Sequence, residues 1–588
     1  MHKDRKVKCS FMKKGDIVEG IIEAVDFPNN GILNVDGKKI IVKNAIPGQV
    51  VRGRVNKKKA GKIEAALLEV LQRSPVETCA AGCSLFPDCG GCLYRTMEYS
   101  SQLQMKEQQI RRLMEDALRK SGQEPASVHF EPVHASPSRC RYRNKMEYSF
   151  GDSEKGGPLT LGLHKRNSTY DILTASDCQI VAEDFNRILH AVLEFCRKMG
   201  WGYYHKMSHE GYLRHLLLRR SEADGSVLVD LVTSSQYLFS SGEENSSFLE
   251  GQVGDESGSR DAETQGLKKF CEMLLELKLD GKITGILHTV NDSVADAVKN
   301  DRTDLLYGKD YLTESLLGLQ FKITPFSFFQ TNSRGAEILY SVVREYLEDA
   351  EGKTVFDLYS GTGTIAQILA PAAGKVIGVE IVEEAVEAAK ENAARNGLNN
   401  CSFLAGDVLK VLDDISEKPD LIVLDPPRDG IHPKALPKIL AYQVPEIIYI
   451  SCKATSLARD LPAFEEQGYR MRRCTCVDLF PDSAHVETVC LLSKLHEAKH
   501  HVNVKLDMDE LDLTSAEAKA TYKEIGEWVQ EKYGFHVTNL NIAQVKQKHG
   551  IIERENYNKP KSENSRQPGC PEEKVKAIED ALRHFQMI

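Results

Sequence analysis

KTVFDLYSGTGTIAQILAPAAGKVIGVE, residues 353–380, is an apolar strand, a glycine turn, a short helix and a second strand in succession. The same alternation continues through the apolar runs at 402–404, 421–424 and 447–450. Apolar strands that alternate with amphipathic helices are typical of a doubly wound parallel sheet. We therefore predict an α/β, Rossmann-like domain at 321–497, with its ligands at the carboxyl ends of the strands.

The glycine turn is the first candidate binding site. Gly361 and Gly363 let the backbone approach a ligand beside the free amides of a helix start, although a plain structural turn has the same pattern. Glu380 ends the next strand, where a carboxylate can accept bonds from both ribose hydroxyls. Asp407 ends the third strand, at the height of an adenine edge. The turn lacks the third glycine that binds pyrophosphate, which favours an adenosyl ligand without phosphates, namely S-adenosylmethionine.

Two more motifs follow strands at this predicted edge. In DPPRDG, residues 425–430, two prolines stop the strand and hold a rigid loop, so that Asp425 faces the crevice. Cys452 lies beside Lys453 at the start of a helix, where a lowered pKa would make its thiol a nucleophile. The structural alternatives are a strand-ending turn for the first motif and a small buried hydrophobe for the cysteine.

A last motif, HVET at 485–488, leads into an apolar strand. Glu487 is the candidate base near the same crevice, and a solvent-facing acid is the alternative. We expect His485 to be a structural hydrogen-bonding residue.

The cysteines suggest a metal site. Cys83, Cys89 and Cys92 form a C-x5-C-x2-C cluster in a glycine-rich loop. A fourth ligand would complete a tetrahedral zinc or a cubane iron-sulfur site, and the spacing leaves both metals open. The candidates for that ligand are Cys79, Cys140 and Cys178. Fifteen cysteines in this chain are too sparse for a disulfide scaffold, so we expect a reducing, cytoplasmic location.

The length and composition of the chain exclude several classes of protein. At roughly 100 to 200 residues per domain, 588 residues predict about three to five domains. The chain is 41% hydrophobic and 27% charged, which excludes disordered and fibrous proteins. Its apolar runs are too short for a membrane span or a signal peptide, so we expect neither. The net charge of -9 argues against a uniformly basic nucleic-acid binder.

The charge is nevertheless uneven. Residues 1–73 hold 16 Lys and Arg against 8 Asp and Glu. Their short β-branched runs, separated by Asn-Gly, Asp-Gly and Pro-Gly, predict an OB-like β-barrel. Six positive charges lie between Arg52 and Lys62. They indicate either a site for single-stranded nucleic acid or a solvated basic hairpin.

Between this barrel and the α/β domain we predict two further regions. Residues 74–127 are a cysteine-rich link and a helix, and 128–320 form an antiparallel, mixed α+β domain. Residues 240–264, with seven acids against one arginine, are predicted to be a disordered surface insertion. We assign no role to the charged extension 498–588.

Together these motifs resemble the bacterial RNA uracil-C5 methyltransferases of the TrmA/RlmD (RumA) type. The resemblance covers about residues 12–495 and rests on FSFFQTN at 326–332 in combination with DLYSGTGT, DPPRDG, ISCK and HVET. It implies an N-terminal TRAM barrel, a cysteine cluster, a central domain and a C-terminal methyltransferase domain.

The resemblance also implies residue roles. Those that would hold a [4Fe-4S] cluster are Cys83, Cys89, Cys92 and Cys178. Those that would contact S-adenosylmethionine are Gln330, Tyr359, Glu380 and Asp425. Phe328 would lie against the target base or the cofactor, with Cys452 the nucleophile and Glu487 the base. Relatives often have Asn where this chain has Thr364, which would weaken one contact to the cofactor.

The implied activity is methylation of C5 of a uridine through a covalent cysteine adduct at C6. The combination of cluster and TRAM barrel favours 23S rRNA over tRNA as the substrate. Two other hypotheses stay open: an amino-group RNA methyltransferase, which also uses Asp-Pro-Pro, and a non-catalytic iron-sulfur RNA-binding protein. The partner is RNA in each case, and no obligate protein partner is evident.

Overall fold

The computed structural model of the chain describes residues 12–59, 62–237, 256–294, 301–348, 350–412, 415–494, 522–549, 570–585 and 587. It divides into two units, Met1–Glu497 and Ala498–Ile588. No helix within these described ranges is long and apolar enough to cross a membrane.

The first element of the chain is a closed five-stranded barrel, as the turn signals predict. Its strands are β1 (Ile17–Asp26), β2 (Asn30–Val35), β3 (Lys38–Lys43), β4 (Val50–Lys59) and β5 (Lys62–Gln72). They pair in the order β1, β2, β3, β5, β4. Asp36 and Gly37 both have positive φ, as the tight hairpin turn between β2 and β3 requires. Alternate apolar side chains fill the interior, among them the fully buried Ile22, Leu33 and Val51.

The segment after the cysteine loop packs on the α/β sheet. Helix α1 (Tyr99–Ser121) is followed by the short strand β6 (His129–Phe130). Met114 and Leu118 of the helix are fully buried in the same apolar cluster as Phe356 and Ile422 of that sheet. Residues 99–130 therefore contribute to the core of the domain that lies more than 200 positions later.

The central region is a seven-stranded mixed sheet. Its elements are β7 (Lys145–Gly151), β8 (Thr160–His164), β9 (Ile172–Thr174), α2 (Glu183–Met199), β10 (Leu213–Arg220), β11 (Ser226–Thr233), α3 (Glu256–Leu275), β12 (Lys282–Val290) and β13 (Arg302–Gly308). The strand order is β13, β12, β11, β10, β7, β8, β9, with β11 and β12 parallel and the other pairs antiparallel.

The prediction of a disordered insertion at 240–264 is wrong for its C-terminal part. Residues 256–264, predicted to be part of a disordered insertion, belong to α3. Leu267, Phe270 and Leu274 recur at helical spacing and are buried against the central sheet, which stabilises the helix despite its acidic start. Glu263 also accepts a hydrogen bond from the Tyr212 hydroxyl at 2.8 Å. The rest of that prediction, 240–255, lies outside the described residues.

The α/β domain follows a two-stranded sheet and a helix. These leading elements are β14 (Leu312–Leu316), β15 (Leu319–Ile323) and α4 (Ser333–Tyr346). The domain itself comprises β16 (Thr354–Leu358), α5 (Thr364–Leu369), β17 (Lys375–Glu380), α6 (Glu383–Arg395), β18 (Cys401–Ala405), α7 (Val408–Val411), β19 (Leu421–Leu424), α8 (Ala435–Ala441), β20 (Glu446–Ser451), α9 (Ala454–Glu466), β21 (Tyr469–Val477) and β22 (Glu487–Lys494). The eight-stranded sheet has the order β18, β17, β16, β19, β20, β22, β21, β6.

The sheet departs from the predicted all-parallel arrangement at one strand. β22 is antiparallel to both of its neighbours, β20 and β21. The connection between β21 and β22, residues 478–486, contains no helix and cannot make the crossover that a parallel pair needs. The start of β22 therefore lies at the same edge as the carboxyl ends of the parallel strands.

The C-terminal unit contains three described helices, α10 (Tyr522–Tyr533), α11 (Asn539–Lys548) and α12 (Glu572–His584). Ile525, Val529, Ile542, Ile578 and Leu582 are buried where the helices meet. The unit thus has a small apolar core of its own.

The glycine turn between β16 and α5 is tightly packed. Gly363 has φ +71°, a conformation that side chains rarely adopt. A Cβ atom there would lie 2.5 Å from the Phe403 ring and 2.8 Å from the Ala389 methyl group. Gly352 has a similar φ, +75°, but no atom lies within 4 Å of the Cβ position.

We expect Gly363→Ala to lower the free energy of unfolding more than Gly352→Ala. Both changes impose backbone strain of about 1–3 kcal/mol. Only Gly363→Ala adds overpacking, at about a further 1–3 kcal/mol. Urea unfolding of both variants measures the difference, and equal losses would contradict the packing argument.

Candidate active site

The predicted site residues converge on one edge of the eight-stranded sheet. Leu358 pairs with Leu424, and Leu424 pairs with Tyr449, so β16 and β19 end at one level and β20 continues beyond them to Ser451. The predicted residues that end, follow or begin strands at this edge are Tyr359, Glu380, Asp407, Asp425, Cys452 and Glu487. Strand register therefore brings together groups that are up to 128 positions apart.

The glycine turn binds the Glu380 side chain. The Gly361 amide donates to Glu380 Oε2 at 3.0 Å, and the Val382 amide donates to Oε1 at 3.0 Å. Tyr359 has φ +69°, and its amide and that of Ser360 both donate to the Val379 carbonyl. The two bonds to its oxygens fix the Glu380 carboxylate beside the turn.

Two other predicted cofactor residues also have local roles. Asp407 caps α7, because its side chain accepts from the Leu409 amide at 2.9 Å. The Thr364 hydroxyl lies 3.4 Å from the Thr362 hydroxyl, which donates to the Phe328 carbonyl at 3.3 Å. The turn is thereby joined to the FSFFQTN segment.

The FSFFQTN segment is held from the central sheet. Buried Arg219 donates through Nε to the Pro325 carbonyl at 3.1 Å and also contacts the Ser327 carbonyl. Phe328 is 71% exposed, unusual for a phenylalanine, and lies beside Gly361. The backbone carbonyl of Gln330 accepts from Asn144 Nδ2 at 3.2 Å. A fixed backbone thus presents an exposed aromatic ring next to the glycine turn.

Two residues that sequence reasoning missed lie at the centre of the site. Tyr340 of α4 is buried, and its pKa is raised by burial and by the carboxylates of Asp425, Glu487 and Asp357. Asp357 is fully buried, accepts from the Ala366 amide at 2.9 Å, and has its pKa raised to about 8, chiefly by burial. An acid inside the apolar strand TVFDL was a signal for Asp357, whereas Tyr340 resembles an ordinary core aromatic.

Cys452 and Glu487 face each other across neighbouring strands. Ser451 at the end of β20 pairs with Thr488 near the start of β22. Cys452 follows the first of these residues and Glu487 precedes the second, so the antiparallel register places them side by side. Burial, followed by the nearby Glu487 and Asp425 carboxylates, raises the pKa of the Cys452 thiol to about 11.

This direction contradicts the expected lowering of the Cys452 pKa. Lys453 Nζ lies 4.0 Å from Asp429 Oδ1, in an exposed ion pair. The cation that does lower the Cys452 pKa is Arg428, the exposed arginine of DPPRDG, but burial and two carboxylates outweigh it. The sequence-based prediction considered only the neighbouring Lys453. It did not include Glu487 and Asp425, which the fold places near the Cys452 thiol and which raise its pKa.

The pKa values of the two neighbouring carboxyl groups, Glu487 and Asp425, are also raised. Burial and then the Asp425 charge raise the pKa of Glu487 to about 8, against the opposing effect of Arg428. Burial raises the pKa of Asp425 to about 7. A carboxyl group whose pKa lies near neutrality can accept and release protons under ordinary conditions.

The cysteine loop forms a second site. Cys83, Cys89, Cys92 and Cys178 line one apolar cavity, whereas Cys79 and Cys140 are not among its lining residues. Burial is the main cause that raises the pKa of Cys89, of Cys92 and, to about 11, of Cys178. The Gly91 amide points to Cys89 Sγ at 3.4 Å.

Four cysteine side chains thus line one cavity. No set of three or more His, Cys, Asp or Glu side chains in the described ranges is placed to hold a metal ion. Amides aimed at sulfur, as at Cys89, suit a thiolate that carries negative charge.

We expect Glu487→Gln to stabilise the protein increasingly as pH rises. The Glu487 pKa is about 8 in the folded protein and near 4.5 when exposed, so ionisation removes stability between those values. The amide cannot ionise, so the difference in Tm between variant and parent should grow from about pH 4.5 to about pH 8 and then level off.

Thermal unfolding across that pH range measures the effect. The exposed Glu466 provides the control, and Glu466→Gln should leave the Tm difference flat because water already solvates that carboxylate. A Tm difference for Glu487→Gln that does not change with pH would contradict the assigned burial of the carboxylate.

Comparison with known proteins places this chain in a family. The sequence profile described as tRNA (Uracil-5-)-methyltransferase matches residues 293–495. An RNA methyltransferase of Clostridium tetani is 44% identical over 478 residues, which are 81% of this chain and 98% of that protein. One from Bacillus cereus is 31% identical over 489 residues, covering 83% and 98%.

A solved structure shares the fold. The chain resembles the Pyrococcus abyssi tRNA (uracil-54, C5)-methyltransferase in complex with S-adenosyl-L-homocysteine, with a TM-score of 0.58 and 24% identity, covering 81% of this chain and 100% of that one. The α/β domain is thereby confirmed as a Rossmann-like methyltransferase fold. From the profile and the full-length relatives it follows that the chain belongs to the TrmA/RlmD type of S-adenosylmethionine-dependent RNA uracil-C5 methyltransferases.

Proposed function

We propose that this protein methylates C5 of a uridine in 23S rRNA through a covalent adduct between Cys452 and C6 of the base. The observation that carries the proposal is the register of β20 and β22, which sets Cys452 beside Glu487 at the ligand edge of the sheet. An amino-group methyltransferase would need neither side chain.

The chemistry follows from the electronic character of uracil. C5 is too weak a nucleophile to take a methyl group, so the Cys452 thiolate first adds to C6 and makes C5 an enolate carbon. C5 then attacks the methyl carbon of S-adenosylmethionine, and S-adenosylhomocysteine leaves. Glu487 removes the C5 proton, the C6–sulfur bond breaks, and the ring double bond returns.

The protonation states suit these steps. The Cys452 thiol, with its pKa raised to about 11, must pass its proton to a neighbour before it attacks. Glu487, with a pKa of about 8, is poised to act as a base near neutral pH. Arg428 favours both the thiolate and the carboxylate, so its charge supports the attack and the final proton removal.

The methyl donor would bind between the glycine turn and the FSFFQTN segment. The residues that we assign to it are Gln330, Tyr359, Gly361, Thr364, Glu380, Asp407 and Asp425. Phe328 is exposed beside the turn and would stack on the donor or on the target base. The base must leave its stack to reach a partly buried cysteine, so a separate surface has to grip the RNA.

We propose that the barrel is a TRAM-like module that binds the RNA. Its positive charge is less free than the sequence indicates, because Arg52 is paired with Glu19 at 2.5 Å and Glu69 at 2.7 Å. Lys57 lies 3.6 Å from Glu64. Arg54 is exposed between them and is the residue that we expect to meet phosphate.

We further propose that Cys83, Cys89, Cys92 and Cys178 hold a [4Fe-4S] cluster. When bound, the cluster would cross-link the cysteine loop to the Cys178 segment of the central region. We assign Cys83 rather than Cys79 as the first ligand, because Cys79 Sγ lies 3.0 Å from Glu98 Oε1 and does not line the cavity.

The alternative to 23S rRNA as the substrate is tRNA. The matching profile and the Pyrococcus abyssi structure are both described as tRNA enzymes, which favours tRNA. The barrel and the four-cysteine cavity favour the rRNA branch of the family. We therefore expect purified protein and labelled S-adenosylmethionine to form 5-methyluridine in 23S rRNA and not in tRNA.

We expect Cys452→Ala to lower this activity on the order of 10³-fold or more, because C5 is no longer activated. The variant should also form no covalent adduct with RNA that contains 5-fluorouridine, while S-adenosylmethionine affinity persists. The measurements are nucleoside analysis, a denaturing gel and calorimetry.

Cys401→Ala is the matched control, since Cys401 begins β18 in the same sheet and should be dispensable. An active Cys452→Ala enzyme would exclude the adduct mechanism and favour an amino-group acceptor. Label in tRNA alone would assign the protein to the tRNA branch.

For the cluster, we expect Cys83→Ser to remove most of the iron that co-purifies anaerobically with the protein, because oxygen is a poor ligand for iron in such clusters. Cys79→Ser should retain the iron, since its sulfur lies outside the cavity. Iron analysis per chain measures both, and equal iron in the two variants would refute the ligand assignment.

A further inference from the structure

The segment 478–486 joins β21 to β22 and ends at the proposed base. The Asp478 and Asp482 side chains within it are both fully buried and each is part of an ion pair. Buried charges are costly unless they are paired and hydrogen-bonded. The conformation of this segment therefore depends on its partners, and these come from a distant part of the chain, residues 95–139.

Asp482 is the most connected residue of the segment. Its Oδ2 accepts from Arg95 Nη1 at 2.9 Å, and its Oδ1 accepts from Arg139 Nε and Gln102 Nε2, each at 2.9 Å. The backbone has φ +65°, which is uncommon for a residue with a side chain. Three charged or amide partners hold Asp482 in that conformation.

The cysteine loop binds the same residue. The Asp482 carbonyl accepts from the Leu93 amide at 2.7 Å and the Tyr94 amide at 3.0 Å. These amides directly follow Cys92, and the Arg95 side chain lines the cysteine cavity. A change in the conformation of the cysteine loop would therefore act directly on Asp482.

The other end of the segment is held by α1. Lys106 is fully buried and donates through Nζ to Asp478 Oδ1 at 2.7 Å, the Phe480 carbonyl at 3.2 Å and the His485 carbonyl at 3.1 Å. His485 precedes Glu487 by two positions. The backbone that leads into the base is thus fixed by buried bonds to α1 and to the cysteine loop.

We propose that Asp482 is a positioning residue for Glu487, tying the cysteine loop to the segment that holds the Glu487 carboxylate against Cys452. The inference rests on the proposed function, in which Glu487 is the base. Asp482 acts through the backbone of 478–486, and a general base displaced by about 1 Å loses on the order of 10²-fold in rate.

The test compares Asp482→Asn with Glu487→Gln on ordinary uridine RNA. Both should lower kcat, Asp482→Asn by about tenfold to a hundredfold. In both, attack and methyl transfer continue while proton removal stalls, so a denaturation-resistant protein–RNA adduct should accumulate. The Kd for S-adenosylmethionine should stay within about twofold of the parent value, because the glycine turn is untouched.

Hydrogen exchange provides a readout that does not depend on activity. Asp482→Asn should speed exchange at residues 93–94 and across 478–487, and leave β19 unchanged. Glu131→Gln is the matched control: Glu131 is a partly buried carboxylate that likewise joins the N-terminal region to the sheet, through Arg473, but it lies outside this segment. It should not raise the adduct fraction.

Three results for Asp482→Asn would overturn the inference. The first is a kcat like that of the parent, and the second is a parallel fall of turnover, adduct fraction and cofactor affinity. The third is hydrogen exchange that rises at residues 93–94 without rising at 478–487. If Asp482→Asn does not fold, Arg139→Lys is tested against the same criteria, because it weakens the same ion pair. Failure of the proposed function is distinguishable, since the parent enzyme would then form no adduct with 5-fluorouridine RNA.

Discussion

The reversed direction of β22 is the constraint on which the site depends. In an all-parallel sheet, the residue that begins a strand lies at the edge opposite the ligands. Because β22 runs antiparallel between β20 and β21, its first residue, Glu487, lies beside Cys452 instead. One short connection without a helix, residues 478–486, therefore places the Glu487 carboxylate on the strand position beside Cys452.

This arrangement is electrostatically costly. Asp357, Asp425 and Glu487 lie around the buried Tyr340, and the pKa of each carboxyl is raised, mainly by burial. Like charges in so small a volume cannot all ionise at neutral pH. Arg428 offsets part of this cost from the exposed loop, and a cationic co-substrate at the edge would offset more. This electrostatic cost is borne by the groups among which the proposed reaction needs proton donors and acceptors.

The same connection joins distant parts of the chain. Asp478 and Asp482 pair with Lys106, Arg95 and Arg139, in contacts that span more than 340 positions. α1 and β6 meanwhile extend the apolar core and the edge of the sheet. The N-terminal region is thus part of the framework that supports the active site, in addition to the proposed role of its barrel in gripping RNA.

Local patterns in the sequence were sufficient for the barrel, the alternation of strands and helices, and the motifs at strand ends, because turn residues and apolar periodicity act over a few positions. They also singled out Cys452, Glu487 and the C-x5-C-x2-C loop as candidates, whereas the choice of Cys178 as the fourth cysteine came from the family resemblance. They could not reveal the direction of β22, the raised pKa of Cys452, the central position of Tyr340 or the ion pairs of Asp482. Each of these depends on which groups the fold brings within a few ångströms, and burial and charge act through space, regardless of separation along the chain.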